Sequence, residues 1–175
     1  DEGGDADEYL TIASEELRRA ATIVSRLRDL NTATELDARQ PTDLARLVND
    51  VLLVTRKQLQ NKGIDVLFEP PADLPTLPLA ADQIKQVFFN IIKNAGQAMK
   101  AGGIIRIRAF SDDEFAYVQI GDTGEGIPQE ELSKVFQPYF STKKDGHGLG
   151  MMIVERIMRD HGGQIGINSR TGVGT

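Results

Sequence analysis

The chain has 175 residues, 40% of them hydrophobic and 26% charged, which is the composition of an ordinary globular protein with one main core. Its formal net charge of −6 argues against a broad nucleic-acid surface, so an anionic ligand would have to be met locally by a loop, a helix end or a metal. Cysteine is absent, which excludes disulfides and thiolate metal sites, and no apolar run approaches the roughly 20 residues that cross a bilayer.

The first predicted element is a long amphipathic helix over residues 7–36. The residues before it, "DEGGDA", are polar and lack the apolar segment of a signal peptide, so we expect a cytoplasmic location. Apolar residues recur in the helix at alternating spacings of three and four and form a narrow, coiled-coil-like seam: Leu10, Ala13, Leu17, Ala20, Val24 and Leu27. The seam packs either on its own domain or on a partner. We favour a partner, because "DARQPTD" reads as a linker that separates this helix from the rest.

The chain after this linker is predicted to alternate helices and strands. Thr42 caps a helix from Leu44 to Asn61, which Gly63 ends. "IDVLFEP" then forms a strand, and "PPADLPTLP" forms a rigid extended loop, because its prolines disfavour regular structure. A second helix with a strong apolar face follows at residues 82–99.

The second half of the chain is predicted to supply most of a sheet. "GGIIRIRAF" and "FAYVQIG" are strands joined by "SDDE", which is typical of a hairpin. One or two helical turns are then predicted in "PQEELSKVF", and a third helix in "GLGMMIVERIMRDHGG". A last strand is predicted in "QIGINS", followed by the turn "RTGVGT". This order predicts an α+β fold, a two-layer α/β sandwich with the helices on one face of a mixed sheet.

Two asparagines in the second predicted helix are candidate ligands. Asn90 and Asn94 are four residues apart, so they share one helix face. They interrupt an apolar stretch, where an amide costs free energy unless it is hydrogen-bonded. Amide oxygens suit a hard cation such as Mg²⁺, usually together with phosphates and water. The alternative is a pair of surface asparagines that bond locally.

The loop "DTGEGIP" follows a predicted strand directly and is the second candidate. Asp122 would stand at the mouth of the sheet, where a buried carboxylate needs a donor such as the exocyclic amine of adenine. Gly124 and Gly126 would let a flat ring approach the backbone. The alternative is a plain turn that Asp122 caps.

The glycine-rich entry to the third helix is the third candidate. Gly146, Gly148 and Gly150 lie where free N–H groups and the positive end of the helix dipole favour an anion. This signal is weak alone, but "STKKD" precedes it and adds two lysines, which makes a triphosphate site plausible.

The stretch from Val135 to Gly148 is the fourth candidate. It is polar, contains three aromatic residues and is typical of a mobile lid over a ligand; the alternative is an ordinary long loop. His147 within it reads as a solvent-facing loop residue. His161 reads as a C-terminal cap of its helix, where a cation is favoured.

Each of these signals is weak alone, but their order along the chain matches a known family. "NIIKNAGQAM", "DTGEGIP", "VFQPYFSTK", "GHGLGM" and "GVGT" resemble the N box, first glycine box, F box, second glycine box and final glycine-threonine box of sensor histidine kinases. The resemblance covers about residues 41–175. "NAGQAM" with "PYFSTKKDGHGLG" is most similar to the nitrogen-regulation-like subgroup, which has a short lid.

The resemblance implies a Bergerat-type ATP-binding fold and a division of the chain into three parts. Residues 1–36 resemble the second helix of the dimerisation and phosphoacceptor hairpin, residues 37–44 a linker, and residues 45–175 the ATP-binding catalytic domain. That domain is expected to be C-terminally truncated, because the family normally supplies one more strand.

The resemblance also implies roles for individual residues. Asn94 would be the Mg²⁺ ligand, with Asn90 at the phosphate end of the same pocket and Lys143 a phosphate contact from the lid; these three are the expected catalytic residues. Asp122 would bind the adenine amine, with Gly126 against the ring. The expected ATP-binding residues are Asn90, Asn94, Asp122, Gly124, Gly126, Ile127, Phe136, Thr142, Lys143, Gly146, His147, Gly148, Leu149, Gly150 and Thr175. Of these, Thr175 would reach adenine through water.

The family's phosphoacceptor histidine lies on the first hairpin helix and is followed by an acidic residue. The chain has two histidines, His147 and His161, and neither fits that role, so we expect no autophosphorylation from this chain alone. The implied cofactors are ATP and Mg²⁺. The implied partners are the receiver domain of a response regulator and a second copy through the hairpin helices, with no nucleic acid and membrane attachment only through other regions.

Three other functions share parts of this pattern. An ATPase of the gyrase or heat-shock chaperone type places a glutamate where Asn90 stands, and Asn90 cannot act as a general base that activates water. A nucleotide-binding or dimerisation module without transfer activity would use ATP only to order the lid. An anti-sigma serine kinase is less well supported, because the seam over residues 10–27 suits a sensor kinase better.

Overall fold

The computed structural model describes residues 39–71, 73–141 and 148–175; the predicted helix over residues 7–36 lies outside them. The chain divides into two compact units, Asp1–Asp37 and Ala38–Thr175, and all of the described helices and strands belong to the second. In chain order they are β1 (Gln40–Thr42), α1 (Leu44–Asn61), β2 (Ile64–Phe68), β3 (Leu77–Leu79), α2 (Ala81–Ala98), β4 (Gly103–Ser111), β5 (Ala116–Asp122), α3 (Gln129–Leu132) and α4 (Gly150–Asp160).

The first helix, α1, has the predicted bounds but a different cap. Asp43 is the N-cap, and its Oδ1 accepts hydrogen bonds from the backbone N–H groups of Ala45 and Arg46 at 2.8 and 3.2 Å. Thr42 was the expected cap, and this prediction is wrong. Its hydroxyl donates instead to the carbonyl of Gln40 at 2.6 Å, because Thr42 belongs to β1.

The core lies between three helices and the sheet. The predicted apolar face of α2 is confirmed, since it buries Ile84, Val87, Phe88, Ile92 and Ala95. α1 and α4 pack against α2 with their own apolar faces, and alternate residues of β4 close the core from the sheet side. The helices therefore cover one face of the sheet, as expected for a two-layer sandwich.

The main sheet is mixed, in the order β2-β4-β5. β2 is parallel to β4, and β4 is antiparallel to β5, with Ser111 opposite Ala116 across the predicted hairpin. Asp112 closes this hairpin, because its Oδ1 accepts the N–H groups of Phe115 and Glu114 at 2.7 and 2.9 Å. These backbone bonds, with the Tyr117 hydroxyl on Oδ2, hold the pKa of Asp112 below its ordinary value.

A second, two-stranded sheet occupies residues that were predicted to be irregular. β1 lies in the predicted linker and β3 in the proline-rich loop, and they pair antiparallel with Pro41 opposite Pro78. Proline disfavours a central strand because it lacks an N–H, but it is compatible with a short pair of edge strands. Among the described residues, no helix combines the length and apolar character that a membrane span requires.

The last predicted strand, residues 164–169, is not a strand in the structure. Its burial does alternate, with Ile165 and Ile167 half-buried between exposed residues. Burial that alternates with a period of two indicates that one side of this segment is covered by the rest of the protein. A β-strand also requires a neighbouring strand to which its backbone is hydrogen-bonded. The final turn is formed as predicted, and Arg170 and Gly174 bond to each other across it.

Candidate functional site

Asn90, one of the two candidate asparagines of α2, lies beside the beginning of α4. Asn90 and Asn94 are both half-buried and lie one turn apart on the same helix. A Cβ at Gly150 would lie 3.7 Å from Oδ1 of Asn90, so this amide sits beside the first turn of α4. Leu149 is the N-cap of α4, and its side chain provides no cap for the first N–H groups; among the described residues no side chain is seen to cap them. The structure therefore brings together the N box and the second glycine box.

Asp122 ends β5 and begins the loop "DTGEGIP". Its Oδ1 accepts the N–H of Gly124 at 2.8 Å, and its own N–H donates to the carbonyl of Thr175 at 2.8 Å. The loop lies against the end of α2, because the N–H of Glu125 donates to the carbonyl of Ala98 at 3.1 Å and Gly124 leaves no room for a Cβ beside Ala98. The loop is thus fixed at both ends.

Helix α2 spans the candidate site from one end to the other. Asn90 lies beside the entry to α4, and Ala98 lies beside the loop that holds Asp122. Eight residues of α-helix rise about 12 Å, which sets the distance between the two ends. The site therefore has a polar amide face at one end and a carboxylate with a glycine loop at the other.

The first glycine loop and the final turn are in direct backbone contact. Gly126 has φ 68°, and a Cβ there would overlap the carbonyl oxygen of Arg170. Gly174 approaches the carbonyl oxygen of Asp122 in the same way. The N–H of Gly172 donates to the carbonyl of Glu125 at 2.8 Å. Glycine at these positions lets two loops meet that lie far apart in the sequence.

Ser169 connects the same two loops and was not predicted. Its Oγ accepts the N–H of Ile127 at 2.7 Å, donates to the carbonyl of Gly174 at 2.9 Å, and lies 2.9 Å from Oγ1 of Thr175. A serine immediately before a glycine-containing turn is a modest sequence signal for local bonding. Its contact with Ile127 depends on the tertiary fold and left no sequence signal.

Only the two ends of the predicted lid are described. Phe136 and Phe140 are half-buried, whereas Tyr139 is 80% exposed and has a positive φ of 63°. Gly148 packs directly against the backbone of Tyr139 and Phe140, so the two ends of the lid lie together. Thr142, Lys143, Gly146 and His147 lie outside the described residues, and their places in the site stay predictions.

The remaining predicted residues have clear positions. Leu149 is half-buried and packs against the core. His161 is confirmed as the C-cap of α4; its Nδ1 lies 2.8 Å from the carbonyl of Ile157, and its Nε2 lies 3.1 Å from the backbone N of Ala80. In the described part of the chain, no three His, Asp or Glu side chains form a metal-binding group, so a cation here would rely on the asparagines and on the ligand.

Comparison with known families agrees with this geometry. Residues 80–175, just over half of the chain, match the model of the family described as histidine kinase-, DNA gyrase B-, and HSP90-like ATPase. The chain therefore belongs to this family, and it carries the ATP-binding catalytic domain of the sensor histidine kinases within it. The Bergerat-type fold and the resemblance to sensor histidine kinases are confirmed, whereas the nitrogen-regulation-like subgroup stays a prediction.

Individual relatives are also sensor kinases. Sensor histidine kinase ZraS of Escherichia coli strain K12 is 33% identical over 173 residues, which cover 99% of this chain and 37% of ZraS. The structure of full-length ShkA in complex with AMPPNP is similar with a TM-score of 0.70 and 26% identity, over 78% of this chain and 29% of that one. Histidine kinase ThkA in complex with the response regulator TrrA gives a TM-score of 0.68 and 26% identity, over 89% and 44%. The chain thus spans less than half the length of these relatives.

Proposed function

We propose that this chain binds Mg²⁺-ATP and transfers the γ-phosphate to a histidine on a hairpin helix that lies outside this chain. The observation that carries the proposal is the arrangement along α2, with Asn90 facing the entry to α4 and Ala98 supporting the loop of Asp122. A nucleotide also has two chemically different ends, a polyanionic phosphate chain and a flat base, and these match the two ends of the site. Family membership supports ATP as the nucleotide.

The base lies at the end of the site formed by Asp122. The Asp122 carboxylate only accepts hydrogen bonds, so it suits the exocyclic amine of adenine, which only donates. Gly126 keeps the loop backbone close to the ring, because its conformation and its contact with Arg170 exclude a side chain. Thr175 is tied by its carbonyl to the N–H of Asp122 and completes this end.

The phosphates lie at the other end, beside the entry to α4. The N–H groups of the first turn of α4 and the positive end of its dipole favour the anion, and Gly148 and Gly150 let it approach the backbone. Lys143, a lysine of the predicted lid, would add a positive charge that attracts the phosphates.

Mg²⁺ fits this end of the site chemically. The half-buried amide of Asn94 offers a hard oxygen ligand on the same face as Asn90, and the phosphates and water supply the remaining ligands. When bound, the ion offsets negative charge on the transferred phosphoryl group. The amides of Asn90 and Asn94 themselves hold the phosphate end in position, with Asn90 beside the first turn of α4.

In the transfer, the bond between the γ-phosphorus and the β–γ bridging oxygen breaks and a bond to a ring nitrogen of the acceptor histidine forms. ADP leaves with the bridging oxygen, and the proton of the histidine passes to the acidic residue that follows it. The protein contributes positioning and electrostatic stabilisation. Water is a poor competitor, because Asn90 stands where a hydrolysing relative needs a general base.

Partners follow from the same assignment. The phosphohistidine would pass its phosphate to the receiver domain of a response regulator, and the crystallised pair of ThkA and TrrA supports this class of partner. The seam of residues 10–27 would pair with a second copy to build a homodimeric hairpin bundle. The catalytic part would act in the cytoplasm.

The experiment supplies the acceptor from outside. The chain is mixed with Mg²⁺, ATP labelled at the γ-phosphate, and the dimerisation hairpin of ZraS, whose alignment covers 99% of this chain. Acid-labile label on the hairpin supports the kinase. In Asp122→Asn the label should disappear, because an amide N–H would face the adenine amine; calorimetry should show ATP affinity at least about tenfold weaker.

Three results would argue against the proposal. If the ATP affinity of Asp122→Asn is unchanged, the assignment of Asp122 to the base site is wrong. ATP binding without transfer to any tested hairpin, including one from the same parent protein, would favour the nucleotide-binding module. Rapid steady-state ATP hydrolysis would favour the ATPase alternative.

A further inference from the structure

The helices cover one face of the main sheet, and the opposite face carries exposed side chains. Buried and exposed residues alternate along β4, and the buried set faces the helices, so the exposed set lies on the other side. The register places Leu67 of β2 beside Arg106 and Tyr117 of β5 beside Phe110 on that side. We call this surface the open face, and its central residues are Leu67, Ile104, Arg106, Arg108, Phe110 and Tyr117.

The two ends of the open face are apolar. Leu67, Ile104, Phe110 and Tyr117 are each between 36% and 48% exposed. The rings of Phe110 and Tyr117 stack across the strands with centroids 5.0 Å apart, and the ring of Phe115 lies 6.1 Å from that of Tyr117. These five are half of the ten large apolar residues that are exposed in the described part of the chain. Such a concentration on one surface indicates an interaction site, whereas single exposed apolar residues do not.

Two arginines occupy the centre of the open face. Arg106 and Arg108 are consecutive residues on this side of β4, so their Cα atoms are about 7 Å apart. Both are exposed, and neither forms an ion pair with another described residue. Their cross-strand neighbours on β5, Gly121 and Gln119, are uncharged. The centre of the open face is therefore positive, although the chain as a whole has a net charge of −6.

The charges exclude several partners that could cover this face. A second copy docked face to face would bring both arginines against their own counterparts, which repel them. A nucleic acid or an anionic membrane would meet carboxylates around the arginines, because Asp65 and Glu69 lie along and after β2 and residues 112–114 form an acidic hairpin turn. A protein segment with a short stretch of negative charge between apolar residues avoids both conflicts.

The dimensions of the open face match one α-helix. Three strands about 4.8 Å apart span about 10 Å from β2 to β5, which is the diameter of a helix. From Ile104 to Phe110 the face is about 20 Å long, which corresponds to about 14 helical residues. Two helical residues four positions apart are separated by about 6 Å along the axis, close to the spacing of Arg106 and Arg108.

We propose that the open face docks an acidic amphipathic helix of a partner protein. Two carboxylates of that helix would bind Arg106 and Arg108, and its apolar residues would pack on the two apolar ends of the face. The charge-assisted hydrogen bonds set the position of the helix, and the aromatic pair of Phe110 and Tyr117 provides apolar contact area. The proposal concerns the side of the sheet that faces away from the helices, so it does not depend on the proposed function.

The probe is a fluorescein-labelled, alanine-rich helical peptide of about 14 residues. It carries two glutamates four residues apart at its centre and leucines on the same face at both ends. A matched peptide has lysines in place of the glutamates. Fluorescence anisotropy with the 175-residue chain should show that the glutamate peptide binds at least about tenfold more tightly than the lysine peptide.

Variants of the chain test the two arginines and the apolar ends separately. Arg106→Glu combined with Arg108→Glu should reverse the preference between the peptides, and Arg106→Gln with Arg108→Gln should weaken the glutamate peptide about tenfold. Leu67→Thr, which keeps a β-branched residue in β2, should weaken both peptides and leave their ratio unchanged. Far-ultraviolet circular dichroism checks that each variant is folded.

Arg56→Gln with Lys57→Gln is the control that matches the double arginine variant in charge. Both residues are exposed on α1, which lies on the other side of the sheet, so the ratio of the two affinities should not change. A loss of preference in this control would show that net charge, and not the open face, selects the peptide. That result would overturn the proposal.

Four other results would also overturn it. Two concern the peptides: failure of the glutamate peptide to bind at about 1 mM, or a preference for it that survives in the variant with Arg106→Glu and Arg108→Glu. A dimer in analytical ultracentrifugation that Leu67→Thr dissociates would assign the open face to a second copy. Binding to phosphatidylserine vesicles that is lost with Arg106→Gln and Arg108→Gln would assign it to a membrane surface.

Discussion

Replacing Gly126 with alanine tests the contact between the first glycine loop and the final turn. Gly126 has φ 68°, which costs an alanine about 1–2 kcal/mol. Its new Cβ would also overlap the carbonyl oxygen of Arg170, a backbone atom that cannot rotate away. Overpacking of this kind costs about 1–3 kcal/mol more, so we expect Gly126→Ala to lower the free energy of unfolding by about 2–5 kcal/mol.

Gly172→Ala is the matched control for this substitution. Gly172 has φ 75°, but a Cβ there would meet no atom within 4 Å. It should therefore show only the backbone cost of about 1–2 kcal/mol. Both variants restrict the unfolded chain equally, so this effect cancels and the difference of about 1–3 kcal/mol reports the contact with Arg170.

The assay is urea unfolding without nucleotide, followed by far-ultraviolet circular dichroism because the chain has no tryptophan. Equal losses of stability in Gly126→Ala and Gly172→Ala would refute the reasoning. So would a larger loss in Gly172→Ala. Either result would mean that the loop and the final turn are not packed as described.

Three further predictions concern the core, the hairpin and α4. Ile92→Ala should lower the free energy of unfolding by about 2–5 kcal/mol in urea, because Ile92 is completely buried; a loss below about 1 kcal/mol would contradict the described core. Tyr117→Phe should raise the pKa of Asp112 toward its ordinary value of 3.8 in an NMR titration. Because the folded-state pKa is lowered, the ionised Asp112 stabilises the hairpin above that pH, and this contribution is lost as the pH falls through the folded-state value. Nitrogen NMR at neutral pH should find His161 protonated on Nδ1, because Nε2 accepts a backbone N–H at the start of α2; the opposite tautomer would disprove these bonds.

Much of the fold follows from local sequence patterns. The bounds of α1 were predicted correctly, and α2, β4 and β5 begin and end within one residue of the prediction. These elements could be predicted because their hydrophobic residues recur with a strong period and because glycine or turn residues stand at their ends. The helix-face argument also placed Asn90 and Asn94 together correctly, because it needed only the helical repeat.

The errors occurred where the outcome depends on a distant partner. β1 and β3 pair through prolines that would each discourage a strand, and residues 164–169 show a strand's alternation without joining the sheet. Asp43 caps α1 because the preceding residue, Thr42, is paired within β1. Ser169 was missed for the same reason, since its contact with Ile127 joins residues that are 42 positions apart.

The bonds around Ser169 also bear on when the site can form during synthesis. Besides its contacts with Ala98 of α2, the loop of residues 122–128 receives contacts that fix it from Ser169, Arg170, Gly174 and Thr175. A ribosome adds about 5–20 residues per second, so β5 would leave it several seconds before those residues do. α1, α2 and the β4–β5 hairpin can pack during that interval, but the end of the candidate site at Asp122 is among the last parts to assemble. A nascent chain paused before Ser169 would therefore hold most of its core but lack the contacts that the final turn makes with the loop of Asp122.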